Sequence, residues 1–178
     1  MADERSTAEA AWIESVLEDY EGRLTRYALR LTGEIETARD VVQETFLRLC
    51  RQRRSDVEGH VAEWLYRVAR NLAFDVRRKQ GRLDQFDRQD VESCQGSTPS
   101  AAVVFENRDD ASRVLEAIEL LSEAEQEVLR LKFQDGLKYH EIANVTGRTT
   151  NYVGVLIHTA IKKLRARLQA DEPAKCGE

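Results

Sequence analysis

Proline is almost missing from this chain. Only Pro99 and Pro173 occur in 178 residues, so nearly all of its length is free of the residue that most strongly breaks a helix. Cysteine is scarce as well. Cys50, Cys94 and Cys176 are odd in number and far apart, with no CxxC spacing and no paired histidines beside them. That excludes a disulfide framework and a zinc module, and it suits a reducing, cytoplasmic setting. His60, His140 and His158 are isolated, and are read as structural or surface residues. No apolar run approaches the roughly 20 residues of a membrane span. The opening Met1-Ala2-Asp3-Glu4-Arg5 lacks the basic-then-apolar layout of a signal peptide. No Gly-rich phosphate loop, metal cluster or triad-like grouping points to an enzyme, and no cofactor or metal is expected. Segments of strand period are absent too, so the expected fold class is all-α.

What the chain does contain is charge, unevenly placed. The net charge is −5, which argues against nucleic acid as a partner on average. From Trp64 to Arg82, however, six basic residues face the single acid Asp75, and from Arg148 to Arg167 there are five basic residues and no acid. The acids gather in 1–21, 83–92 and 106–127. Segregation of this kind suits phosphate-facing surfaces on a protein that also meets a non-DNA partner. Ordinary solvated helix faces would give the same pattern.

Apolar spacing marks the helices. Trp12, Ile13, Val16, Leu17, Tyr20, Leu24, Tyr27, Ala28 and Leu31 keep helical period up to Thr32-Gly33, a glycine C-cap, and residues 1–11 are expected to lie outside as a disordered start. A second helix over about 36–52 carries Ala38, Val41, Val42, Thr45, Phe46 and Leu49 inward. A polar loop is expected over 51–59. A third helix over about 61–79 turns Trp64, Leu65, Val68, Ala69, Leu72, Ala73 and Val76 inward, with Trp64 placed in the core and Tyr66 left open. Together these predict one bundle over 12–82. Residues 83–109, with Gly96-Ser97-Thr98-Pro99-Ser100, read as a flexible linker, and 170–178 as a short tail. A four-helix domain over 110–169 follows. Ser122-Glu123-Ala124-Glu125 is a capping box, and Gly136 stops the helix it opens.

The most explicit geometric signal comes next. Ala143, Gly147 and Val153 have the spacing of a helix-turn-helix, with a small residue for close approach, a glycine for positive φ and a β-branched anchor. Val153, Leu156, Ile157, Ala160, Ile161, Leu164 and Leu168 form the buried stripe of its second helix. Thr149 or Thr150 is the N-cap.

Three blocks give the chain a family likeness. Asp40-Val41-Val42-Gln43-Glu44-Thr45-Phe46-Leu47-Arg48-Leu49 resembles the polymerase-binding helix of the extracytoplasmic-function (ECF) sigma factors, the bacterial RNA polymerase sigma subunit family. Residues 64–78, Trp64 to Arg78, resemble the promoter-melting helix of that group. Leu120 to Leu129, the helix-turn-helix and Ala160-Ile161-Lys162-Lys163-Leu164-Arg165 resemble its fourth conserved region. The likeness covers about Tyr20 to Leu168.

The resemblance implies a sigma factor that binds core RNA polymerase, directs it to promoter DNA and helps to melt it, often under a separate anti-sigma factor. Residues 12–82 would be region 2 and 110–169 region 4. Asp40, Gln43, Glu44 and Leu47 would dock on the polymerase, although a solvated outer helix face would look the same. Arg67, Arg70, Asn71, Arg77 and Arg78 would contact the minus-ten element, where a base leaves the stack, with the 55–60 loop supplying part of its pocket. Arg148, Thr150, Asn151, Tyr152 and Val155 would meet the minus-thirty-five element. Lys162 and Lys163, with Arg165, would clamp phosphates or stand as solvated ends. The sequence departs from the family pattern at Gly154-Val155-Leu156, where basic and serine residues are usual, and at Thr146, where an apolar residue is usual. Fewer cations put more weight on Asn151, Tyr152 and contact with thymine methyls. A stand-alone helix-turn-helix regulator is the alternative, since the last domain resembles the output domain of response regulators. An N-terminal receiver would need alternating strands and helices, and residues 12–80 offer helices only.

Overall fold

The computed structural model describes the backbone of residues 2–87 and 108–170, and side chains within 8–80 and 114–169. Every regular element among them is helical. The chain divides into two compact units, Met1–Pro99 and Ser100–Glu178. The expected linker, apart from its ends, and the tail fall outside the described residues, and so do Cys94, Cys176, Pro99 and Pro173.

In the first unit α1 (Ala2–Thr32), α2 (Ile35–Leu49) and α4 (Val61–Asp87) pack pairwise into a bundle. The turn between α1 and α2 follows from Gly33, whose φ of 79° is open to glycine at no steric cost, and its N–H donates to Leu29 O at 2.8 Å. The core holds Leu24, Ala28, Ala38, Leu49, Leu65, Ala69 and Ala73, all at 0% exposure. Small residues at 28, 38, 69 and 73 let the helix backbones approach, while Leu24, Leu49 and Leu65 fill the space between them.

Several expectations change here. α1 begins at Ala2, not near Trp12, so residues 2–11 are not a separate disordered start. They are rich in Ala and Glu, which favour helix, but carry no apolar stripe for a periodicity to register. The 51–59 loop contains α3 (Arg54–Val57) and a 3-10 turn, Glu58–His60, pinned by Val57 at 1% exposure. α4 runs on to Asp87, through Gly81, beyond the expected end at 79. An internal glycine costs a helix only about 1 kcal/mol, too little to stop it alone. On α4 the core aromatic is Tyr66, at 0% exposure, and Trp64 is only half-buried.

In the second unit α8 (Thr150–Ala170) packs against α5 (Arg108–Glu119), α6 (Glu123–Phe133) and α7 (Tyr139–Thr146). The capping box forms as read. Ser122 N–H donates to Glu125 Oε2 at 3.0 Å, and Glu125 N–H donates to Ser122 Oγ at 3.4 Å. Gly147 takes φ 68° at the end of α7, which turns the chain into α8. Ala143 is 5% exposed and Val153 0%, the two ends of the helix-turn-helix contact. Thr146 fills its apolar place with a methyl, while its hydroxyl donates to Ile142 O at 2.7 Å. No helix among the described residues is long and apolar enough to cross a membrane.

Candidate polymerase and promoter surfaces

Three helices and the turn before the last carry the sequence-predicted residues, and α2 and α4 each bring their group onto one face. On α2 the buried stripe of Ala38, Val41, Val42, Thr45, Phe46 and Leu49 fixes the opposite side. Asp40, Gln43 and Leu47 are exposed there and Glu44 half-buried, spaced so that they form a continuous polar strip with an apolar end. Glu44 Oε1 accepts from Arg48 Nε at 2.9 Å, an exposed pair one turn apart. Beside the strip a pocket of about 530 Å³ opens between α1 and α2, lined by Leu17, Glu21, Phe46, Leu47 and Cys50 among others. Leu17 shares the helical spacing of the apolar residues of α1, yet it is 38% exposed and lines the α1 side of this pocket with Glu21. An apolar residue beside Val16 on a helix margin gives no sequence signal that separates the two roles.

On α4, Arg67, Asn71, Arg77 and Arg78 are exposed and Arg70 half-buried. At about 100° per residue, positions 67, 70, 71, 74, 77 and 78 share one side of the helix. Phe74 stands in the middle of this basic face, half-buried, with the Arg70 guanidinium over its ring at 4.5 Å from the centroid. The sequence reading did not single out Phe74. A helical wheel would have found it, because it is the one aromatic centred among those cations. Arg78 Nη1 lies 3.3 Å from Asp75 Oδ1, both exposed, an interaction of little stabilising weight. The face thus offers positive charge around an aromatic ring, a combination suited to phosphate and an unstacked base.

On α8, Thr149 is the N-cap. Its Oγ1 accepts from Tyr152 N–H at 3.3 Å. Asn151 and Val155 are exposed on the side away from buried Val153, Leu156, Ile157 and Ala160, and Thr150 and Tyr152 are exposed at its margins. Arg148 is half-buried in the turn. Its guanidinium lies over the Tyr152 ring at 5.4 Å, and its Nε is buried without a hydrogen-bond partner. Lys162 is exposed further along. Lys163 differs from the others, because its ammonium donates to Glu125 Oε1 at 2.7 Å and Oε2 at 3.0 Å. That hydrogen bond holds the Glu125 carboxyl below its ordinary 4.5 against the opposing effect of burial, with Ser122 helping. In the free chain Lys163 ties α8 to α6 while its side chain stays 55% exposed.

Comparison with known proteins matches each unit to a family. The family model described as Sigma-70 region 2 matches residues 16–83, and that described as Sigma-70, region 4 matches 111–164. The ECF RNA polymerase sigma factor SigL of Mycobacterium tuberculosis is 33% identical over 170 residues, covering 92% of this chain and 93% of SigL. The ECF RNA polymerase sigma factor SigW of Bacillus subtilis is 26% identical, covering 86% of this chain and 87% of its own. Among solved structures, the sigma factor RpoE of Bartonella quintana, in complex with the anti-sigma factor NepR, shares the fold with TM-score 0.62 and 21% identity, over 89% of this chain and 98% of that one. Similarity to SigL through both units, in one order and over nearly all of either chain, places the protein among the ECF RNA polymerase sigma factors.

Proposed function

We propose that this chain is a dissociable, cytoplasmic initiation subunit without enzymatic activity, and that its three surfaces divide the work. As a sigma factor it directs RNA polymerase to promoters. The region-2 domain, 12–82, docks on core polymerase through Asp40, Gln43, Glu44 and Leu47. The charge-assisted hydrogen bonds its carboxylates can accept from basic partners fit that role. The basic face of α4 takes the minus-ten element through Arg67, Arg70, Asn71, Arg77 and Arg78, with Phe74 as a stacking surface. The region-4 domain, 110–169, places the start of α8 in the major groove of the minus-thirty-five element, with Arg148, Thr150, Asn151, Tyr152 and Val155 at the DNA. Lys162 takes phosphate.

One observation carries the reading: the polar strip of α2 and the basic face of α4 stand on different helices of one bundle, so a single unit can hold protein and DNA at once. A stand-alone regulator would have no use for the first of these. The RpoE of Bartonella quintana has a structure with an anti-sigma factor. A protein partner of that kind, covering the docking strip, is proposed here too. Titration of labelled full chain with core polymerase tests the docking step. Saturable binding at submicromolar concentration is expected, and no binding would remove the reading.

A further inference from the structure

From Thr149 to Ile161 the chain has no lysine and no arginine, although this stretch holds the outward face of the first turns of α8. At about 100° per residue, Asn151, Val155 and His158 project within one narrow sector, with Tyr152 at one edge and Gly154 at the other. Asn151, Tyr152, Val155 and His158 are all exposed, Val155 to 59%. Gly154 contributes no side chain, and the ring of Tyr139 from α7 occupies that edge. A Cβ built at Gly154 would lie 3.8 Å from Tyr139 Cε2, in ordinary contact. At the other edge the nearest arginine, Arg148, is stacked on Tyr152 with its Nε buried, so it is held at the flank and not extended along the sector. The centre of the surface is an amide, an isopropyl group and an imidazole between two aromatic rings.

That chemistry discriminates among base pairs. Guanine shows two acceptors in the major groove, best met by an arginine or lysine, and the first cation of this sector is Lys162, a full turn beyond His158 and away from Asn151 and Val155. An asparagine amide matches the N6 and N7 edge of adenine, and an apolar group matches the C5 methyl of thymine. An isopropyl group against the cytosine amino group or guanine O6 would instead cover a polar atom without replacing its hydrogen bond with water. We propose that the upstream promoter element is read as A·T base pairs at the positions beneath Asn151 and Val155, with a thymine methyl against Val155 and an adenine edge on Asn151. This inference rests on the assignment of α8 to the upstream element. Attraction to phosphate is then separated from base reading, the nearest cations lying in the turn and beyond Ile161.

The test uses holoenzyme made from the full chain and core polymerase, with a promoter library randomised upstream of the minus-ten element. Selected sites should hold A·T pairs at two or more adjacent positions. Replacing each selected thymine by deoxyuridine removes only the methyl group. At one position this should weaken binding about fourfold, the effect of burying one methyl-sized group. In Val155→Ala, whose side chain is too exposed for the change to disturb the core, thymine and deoxyuridine at that position should become equivalent. Selection of G·C pairs that is sensitive to Asn151→Ala would overturn the proposal while leaving α8 as the reading helix. Indifference of the wild type to deoxyuridine at every thymine would overturn it as well. No upstream preference at all would overturn both the proposal and the assignment beneath it.

Discussion

Lys163 Nζ lies 2.7 Å from Glu125 Oε1, joining residues 38 apart in sequence across the α6–α8 contact. The Glu125 side chain is 5% exposed and that of Lys163 55%, so the pair is anchored at its acidic end and open at its basic end. The same carboxylate accepts from the Ser122 backbone N–H, so one side chain caps α6 and holds α8. The helix that carries the proposed DNA-reading residues is thereby fixed to α6.

Loss of this pair should weaken the second unit. Lys163→Ala leaves a buried carboxylate with its cap but without its cation, and should cost about 1–3 kcal/mol. Urea melts by far-UV circular dichroism read it. Tryptophan fluorescence should not follow, because Trp12 and Trp64 both belong to the first unit. If stability holds and only the salt dependence of DNA binding changes, Lys163 is a phosphate clamp after all.

The pair also sets a pH dependence. Glu125 has its carboxyl lowered on folding, chiefly by Lys163. Its contribution is therefore complete above the ordinary carboxylate value and is lost as pH falls through the lower folded value. Glu125→Gln should be less stable than wild type at pH 7, and the gap should close in acid below about pH 4. A gap that stays constant down to pH 3 would contradict the assignment.

In the first unit the Tyr27 and Tyr66 rings meet edge to face, with centroids 5.1 Å apart at 73°. Both are core residues, at 4% and 0% exposure. Tyr66→Ala should cost about 3–5 kcal/mol and Tyr66→Phe far less, measured by tryptophan fluorescence in urea. Equal losses in the two variants would assign the stability to the hydroxyl instead of the ring.

Docking should depend on the α2 strip. Asp40→Ala with Glu44→Ala removes charge from residues outside the core, so the melts should be nearly unchanged while affinity for core polymerase falls about tenfold or more. Unaltered affinity in titration would move the docking surface elsewhere, the pocket at Leu17 and Leu47 being the nearest candidate.

Upstream recognition should depend on Asn151. Its replacement by Ala should cost roughly 1–3 kcal/mol at the cognate element and relax preference at one base pair. A uniform loss across all sequences would assign it to the backbone instead.

The sequence made legible whatever is local. Gly147 and Gly136 at positive φ, the Ser122–Glu125 box and the buried stripe of α2 follow from spacing and residue type alone. What depends on a second element was not legible. Trp64 and Tyr66 are two positions apart on one helix, and the inward one is the tyrosine, whose ring meets Tyr27 on α1. Lys163 reads as one more cation near a helix end until α6 brings Glu125 to it. Leu17 has core spacing but sits at the rim of a pocket that α2 completes. Residues 2–11 have helix-favouring composition without periodicity, so a criterion based on stripes could not see them.

Transcription reconstituted from purified parts tests the central claim most directly. Core polymerase, genomic template and nucleotides are combined with and without the full chain, and RNA 5′ ends are mapped. The account predicts new transcripts starting at discrete sites only when the chain is present, each with a shared upstream and downstream element. Transcripts identical in both reactions would contradict it.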